Sequence, residues 1–388
     1  MFAKRTDWDL RPNRISEKLA QLRGRGEKIL DLTESNPTRV GLRYPEGLLR
    51  ELADPRSFLY EPDPKGLLSA RQTAARIFSG KGVALNPDRI FLTAGTSEAY
   101  GMLLRLLAEP GEQLLTPRPS YPLFDYLAQL NDLETAPYSL RLGPDNRWRV
   151  DLDELSKAMT ARTRALILVH PNNPTGSCVT QEELARMVAL CEERGVALIA
   201  DEVFAEYLYQ RDESLPATLL GGAGVLVFAL GGLSKWMGLP QMKLAWIACA
   251  GGPERKLSEA LARLEVIADT FLSVSTPVQA AFPQWAGSAP LIQEQIRGRI
   301  RRNRRWLREA ATGVASVLPA DGGWNAVLQL PAMDNEEAWT LRLLEKERVR
   351  VHPGYFFDFE QPNIAVVSLL PAEEDFREGI GRLFEQID

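Results

Sequence analysis

Histidine and cysteine are scarce in this chain of 388 residues, which has two histidines, His170 and His352, and three cysteines, Cys178, Cys191 and Cys249. Two imidazoles leave little room for a His-rich metal site or for a mechanism needing several of them. The cysteines are odd in number, scattered and without metal-ligand spacing, so no disulfide framework and no metal site is expected. They read as buried thiols in a reducing cytoplasm. No apolar run approaches the ~18 residues of a membrane-spanning helix. The opening Met1-Phe2-Ala3-Lys4-Arg5-Thr6-Asp7-Trp8 lacks the apolar core of a secretory signal, so a cytoplasmic location is expected. Charge of one sign is also missing: 46 Lys and Arg against 51 Asp and Glu leave a net charge of -5, which gives no reason to expect a polyanion or membrane-surface partner. One dense run, Arg297, Arg299, Arg301, Arg302, Arg304, Arg305 and Arg308, is interleaved with Ile292, Ile296, Ile300 and Leu307 at helical spacing. That pattern sends the arginines to a solvated helix face, and no nucleic-acid partner is expected.

What is present is an ordinary globular composition, 45% apolar and 25% charged. From about Gly66 to Ala250, helix-like and strand-like segments alternate, the pattern of a mostly parallel sheet flanked by helices. Arg89–Thr93 reads as a strand, and Ala94-Gly95-Thr96-Ser97 turns into a helix through Leu107. Thr180 and Glu183 have capping-box spacing for a helix stopped by Gly195, with a strand ending at Ala200. After Gly251-Gly252-Pro253 the alternation stops. Two helical stretches are expected, broken near Thr276-Pro277, the second from about Leu291 to Ala311. Short strands then follow around Trp324–Leu330, Val349–Val351 and Ile364–Leu370. The expected architecture is a large α/β domain over residues 36–270 and a smaller α+β domain from residues 1–35 and 271–388.

Three motifs end apolar strand-like runs: Asn173-Pro174-Thr175-Gly176, Asp201-Glu202-Val203-Phe204 and Gly232-Leu233-Ser234-Lys235. In a parallel sheet the carboxyl ends of the strands open on one crevice. An amide, a carboxylate and an amine would meet there, as a Schiff-base cofactor requires. Lys235 is the candidate amine, since lysine condenses with carbonyls and burial frees its lone pair. Asp201 would pair with a protonated ring nitrogen and keep the ring an electron sink. Asn173 offers an amide donor to a ring oxygen. Gly95, Thr96 and Ser97 would hold a phosphate at a helix N-terminus, and Tyr121 would stack on an aromatic ring. Each has an ordinary structural use when taken alone: a strand-end lysine, an ion-paired carboxylate, an Asn-Pro turn, a helix cap, a packed tyrosine.

Their order resembles the class I/II aminotransferases of fold type I, which use pyridoxal 5'-phosphate (PLP). The likeness runs from Asp31-Leu32-Thr33-Glu34-Ser35-Asn36-Pro37 through Tyr60, Gly66, Arg71, Gly95-Thr96-Ser97, Tyr121, Asn173-Pro174-Thr175-Gly176, Asp201 and Ser234-Lys235 to Pro353-Gly354. The resemblance implies Lys235 as the Schiff-base lysine and proton shuttle, Asp201 on the pyridine nitrogen, Asn173 on the ring oxygen and Tyr121 stacked on the ring. It implies Gly95, Thr96, Ser97, Ser234 and Lys243 around the phosphate, and Tyr60 reaching the phosphate of a neighbouring subunit in a homodimer. The implied activity is ping-pong transfer of an amino group from an amino acid or amine to a keto acid. A lyase or decarboxylase on the same fold and a non-catalytic PLP sensor are the alternatives. Four positions depart from the family pattern: Phe204 stands for a tyrosine, Gly232 for a serine and Lys243 for an arginine. Ala365-Val366-Val367-Ser368 lacks the arginine that clamps a substrate carboxylate. Asn36, Arg39 and Arg118 are the candidates for substrate binding in its place.

Overall fold

The computed structural model describes residues 1–221, 224–332 and 335–387. Among them, eight strands form one sheet in the order Ile90–Thr93, Ala245–Ala250, Val227–Gly232, Ala197–Asp201, Thr163–Val169, Gln113–Arg118, Glu134–Leu142 and Trp148–Val150. The five strands from Val227–Gly232 to Glu134–Leu142 run parallel. The flanking strands pair antiparallel. The inner strands are apolar at successive positions because both faces are covered. Leu166, Leu168, Leu198 and Ala200 join one core, and Ala165, Ile167, Ala197 and Ile199 join the other.

The connecting helices start and stop as their local chemistry requires. Thr96–Leu107 directly follows the Ile90–Thr93 edge strand. For Gln181–Arg194, the Thr180 side chain accepts from the Glu183 N–H while the Glu183 side chain accepts from the Thr180 N–H. Gly195, at φ 67°, ends that helix in the left-handed conformation glycine tolerates best.

A second sheet is fully antiparallel, in the order Ser316–Val317, Asn325–Gln329, Ile364–Ser368 and His352–Pro353. Leu30–Asp31 pairs in parallel with Val349–Arg350. Ile15, Leu19 and Leu22 of the Arg14–Gly24 helix pack on Leu341 and Leu344, so the opening segment packs against the C-terminal part.

The region after Pro253 differs from expectation. Where two helical stretches were expected before Ala311, three helices lie, Glu254–Asp269, Thr276–Ala286 and Ala289–Ala310. Thr276-Pro277 begins a helix there; proline fits the first turn, where its missing N–H has no helical partner. Pro283 lies inside the same helix. Its cost is outweighed by burial of Val278, Ala281, Phe282 and Trp285 in the main core, with the Trp285 indole donating to the Leu48 carbonyl at 2.8 Å.

Candidate active site

The parallel strands deliver their last residues to one end of the sheet. Asp201 closes Ala197–Asp201, Asn173 follows Thr163–Val169, and Ser234 and Lys235 lie on a single helical turn after Val227–Gly232. Thr96 and Ser97 begin the helix beyond the edge strand, and Tyr121 follows Gln113–Arg118. These seven residues line one cavity of about 430 Å³.

Asp201 is buried, and burial pushes its carboxyl up to about 6 despite hydrogen bonds and a cation that pull it down. The Val203 N–H donates to its Oδ1 at 3.2 Å and the Tyr100 hydroxyl to its Oδ2 at 3.0 Å. Burial, followed by the Asp201 charge, holds Tyr100 far above the usual phenol range, so it stays a donor. Burial pushes Lys235 below the usual lysine range, opposed by Asp201. Its Nζ lies 5.2 Å from the Trp324 ring centroid and 5.8 Å from that of Phe204. The Tyr207 hydroxyl fixes the same turn by donating to the Lys235 carbonyl at 2.6 Å. Asn325 donates from Nδ2 to Asn173 Oδ1 at 2.7 Å, which leaves the Asn173 amide N–H groups for another partner.

A side-chain carbon placed on Gly95 would sit 3.3 Å from Lys243 Nζ, so this ammonium lies against the turn that opens the Thr96–Leu107 helix. An ammonium beside a helix N-terminus and two hydroxyls is chemically suited to an anion, and of these groups Thr96 and Ser97 line the cavity while Gly95 and Lys243 do not. The Gly232 departure has a packing reason. Its φ of 179° is extended backbone open to any residue. A Cβ there, however, would lie 2.9 Å from the Ala245 Cβ. Phe204 is buried edge-on to Trp324, with ring centroids 5.5 Å apart.

The substrate candidates fall elsewhere. The Asn36 side chain accepts from the Thr38 N–H and hydroxyl at 3.1 and 2.8 Å, so it is taken up by its own turn. Arg39 is exposed. Arg118 pairs with Asp358 at 3.4 Å. None of the three is among the residues lining the cavity. Tyr60 also lies outside it and is 80% exposed. Val366, in the strand lacking the arginine, packs with Val327, Phe357 and Ile364 and is opposed by His352.

Among the lining residues that sequence reading missed are Tyr100, Trp324, Asn325 and His352. Tyr100 carried a signal, since it follows Thr96 by one helical turn and so faces the same end of the sheet. The other three come from the second sheet and the loops at its edge, whose docking no local motif announces. Burial, with Arg350 nearby, pushes His352 down to about 4, so it is a neutral imidazole at pH 7.

A strand-end cavity lined by an amine, a carboxylate, an amide and several hydroxyls has the donor set that a Schiff-base cofactor needs. The family model for aminotransferase class I and II matches residues 27–377. The chain belongs to that family. Its cofactor is pyridoxal 5'-phosphate and its activity is amino-group transfer. An alanine aminotransferase of Mycobacterium tuberculosis is 29% identical over 384 residues, covering 95% of this chain and 88% of that one. A glutamate-pyruvate aminotransferase of Escherichia coli is 27% identical over 378 residues, covering 93% and 91%. The solved alanine aminotransferase from Pyrococcus furiosus superposes with a TM-score of 0.89 over 99% of both chains at 23% identity, a likeness of fold. Among the described residues, no helix is long and apolar enough to cross a membrane.

Proposed function

We propose that the cavity is the catalytic centre and that Lys235, Asp201 and Asn173 carry it. The observation behind this reading is their convergence, from three separate strand ends, on one cavity of about 430 Å³. The donor set suits PLP: a cradle of Thr96, Ser97, Ser234 and Lys243 for its phosphate, Asp201 for its ring nitrogen, Asn173 for its ring oxygen and Tyr121 for its face. When bound, the cofactor supplies a carbonyl carbon that takes up the amino group and a ring that stores the electron pair. Lys235 would hold the cofactor through its amine and, once released, would serve as the base and acid that carries the proton. Its lowered pKa suits both tasks. Asp201, held in place by Tyr100 and Val203, keeps the ring nitrogen protonated. Asn325 orients Asn173 by donating to its Oδ1, which leaves the Asn173 N–H groups to hold the ring oxygen were the cofactor bound. Phe204 and Trp324 exclude water from the amine. Lys243 gives the phosphate a point charge in place of a planar fork.

The donor and acceptor are an amino acid and a keto acid, as for the curated relatives named above, exchanged in a ping-pong cycle. The lining offers the second N–H of the Asn325 amide and the neutral His352 imidazole to a substrate carboxylate, in place of Asn36, Arg39 or Arg118, while the Thr33 and Ser35 hydroxyls already donate to Asp31 and to the Thr33 carbonyl. The protein acts as a cytoplasmic homodimer whose exposed Tyr60 reaches the partner's phosphate site. Residues 36–270 form the large domain, and 1–35 with 271–388 form the small one. Single-turnover spectroscopy tests the reading. Holoenzyme mixed with alanine, with glutamate and with a panel of amines, without acceptor, should lose the absorbance of its lysine–cofactor Schiff base and release one equivalent of carbonyl product. Ammonia or carbon dioxide release without that conversion would overturn it.

A further inference from the structure

A second cleft lies outside this cavity. The Ala289–Ala310 helix carries the arginine run, but its arginines do not all project into solvent. Arg299 turns to the Val40 and Leu370 carbonyls, and Arg302 pairs with Glu373 at 2.6 Å. Arg297, Arg301, Arg304, Arg305 and Arg308 recur every three or four residues or in the next register, so they share one broad face. Together with Tyr207 and Tyr209 they border a cleft of about 500 Å³. That volume is within the range of small-molecule sites.

The charges in the cleft are poorly balanced. Arg297 and Arg301 both look to Glu294, at 3.6 and 3.4 Å. Among the described residues, Arg304, Arg305 and Arg308 make no ion pair, and the one carboxylate at the cleft, Glu309, makes none either. The Arg304 guanidinium lies 4.2 Å from the Tyr209 ring centroid, a cation–π contact that fixes its plane and leaves its edge for a ligand. The wall is preformed, because the Tyr207 hydroxyl is bound to the Lys235 carbonyl and the Tyr209 hydroxyl lies 3.4 Å from the Asn325 carbonyl. Five arginines outnumber the carboxylates that act on them, Glu294, Glu309 and Asp321; such an excess in a concave wall is stabilised by a multivalent anion, and arginine forks match phosphate oxygens.

We propose that this cleft binds a small anion carrying at least two negative charges, of the diphosphate kind, through Arg304, Arg305 and Arg308. Calorimetric titration of the PLP-loaded enzyme with inorganic pyrophosphate tests it, with cofactor absorbance recorded to show that PLP stays bound. One equivalent should bind, more weakly as salt rises. The combined Arg304→Gln, Arg305→Gln and Arg308→Gln variant should bind at least tenfold more weakly. A charge-matched control, Arg186→Gln with Arg255→Gln and Lys256→Gln on other helices, should stay within twofold of wild type. The single variant Arg305→Gln should also weaken binding and guards against misfolding of the triple variant. No binding at low salt, equal loss in the control, or full binding by the triple variant would overturn the site. Preferential binding of a single-stranded oligonucleotide through the same arginines would replace the small anion with a nucleic acid.

Discussion

Replacing Asp201 with asparagine should change how the stability of the cofactor-free protein depends on pH. A buried carboxyl raised from 3.8 to about 6 binds its proton more tightly in the folded state than in the unfolded one. Between those two values the folded protein holds more protons, so stability falls as pH rises. At about 1.4 kcal/mol per pKa unit, the full span makes about 3 kcal/mol, roughly half of it lost between pH 5 and 7. An asparagine side chain cannot ionise, so the Asp201→Asn variant should gain on wild type by that amount as pH rises. A constant offset is expected on top, because the amide cannot accept from both Val203 and Tyr100. Urea unfolding of both apoproteins from pH 4.5 to 7.5 measures the difference, and comparing the pair cancels the opposite contribution of His352, whose pKa is lowered to about 4. With PLP bound, the protonated ring nitrogen supplies the missing counter-charge and the comparison should favour wild type. An apoprotein difference that stays flat with pH would refute the reasoning, since Asp201 would then ionise as it does in water.

Two further outcomes follow from contacts. Gly232→Ser should destabilise the fold by about 1–3 kcal/mol in urea unfolding, because the new carbon meets the Ala245 Cβ and the backbone of Leu244 and Ala245; an unchanged midpoint would contradict the packing argument. Asn325→Leu should weaken PLP binding about fivefold in equilibrium dialysis, the worth of one hydrogen bond, by releasing the Asn173 amide, and unaltered affinity would show that Asn173 is oriented by something else.

The centre of the site was legible because each of its parts ends a strand. Apolar runs before Asn173, Asp201 and Lys235 announced strands, and a parallel sheet places their ends together whatever lies between. The helix from Thr96 to Leu107 and the box at Thr180 and Glu183 were legible for local reasons, since turn and cap chemistry is written within four residues. The Thr276–Ala286 helix was not, because Pro277 and Pro283 argue against it locally and only burial of Phe282 and Trp285 outweighs them. Asn325 and His352 were missed because they reach the cavity through the docking of a second sheet. The pairing of Arg118, a substrate candidate, with Asp358 was not legible, because the two lie far apart along the chain. The arginine face was read as solvated since helical periodicity shows which side is polar, and does not show that Tyr207 and Tyr209 roof part of it.

Every role assigned within the cavity depends on Lys235 being the residue that carries the cofactor. Reduction of the holoenzyme with borohydride, followed by digestion and mass mapping, should place the pyridoxyl label on the peptide containing Ser234 and Lys235 and on no other. Label on another lysine, Lys243 above all, would contradict it.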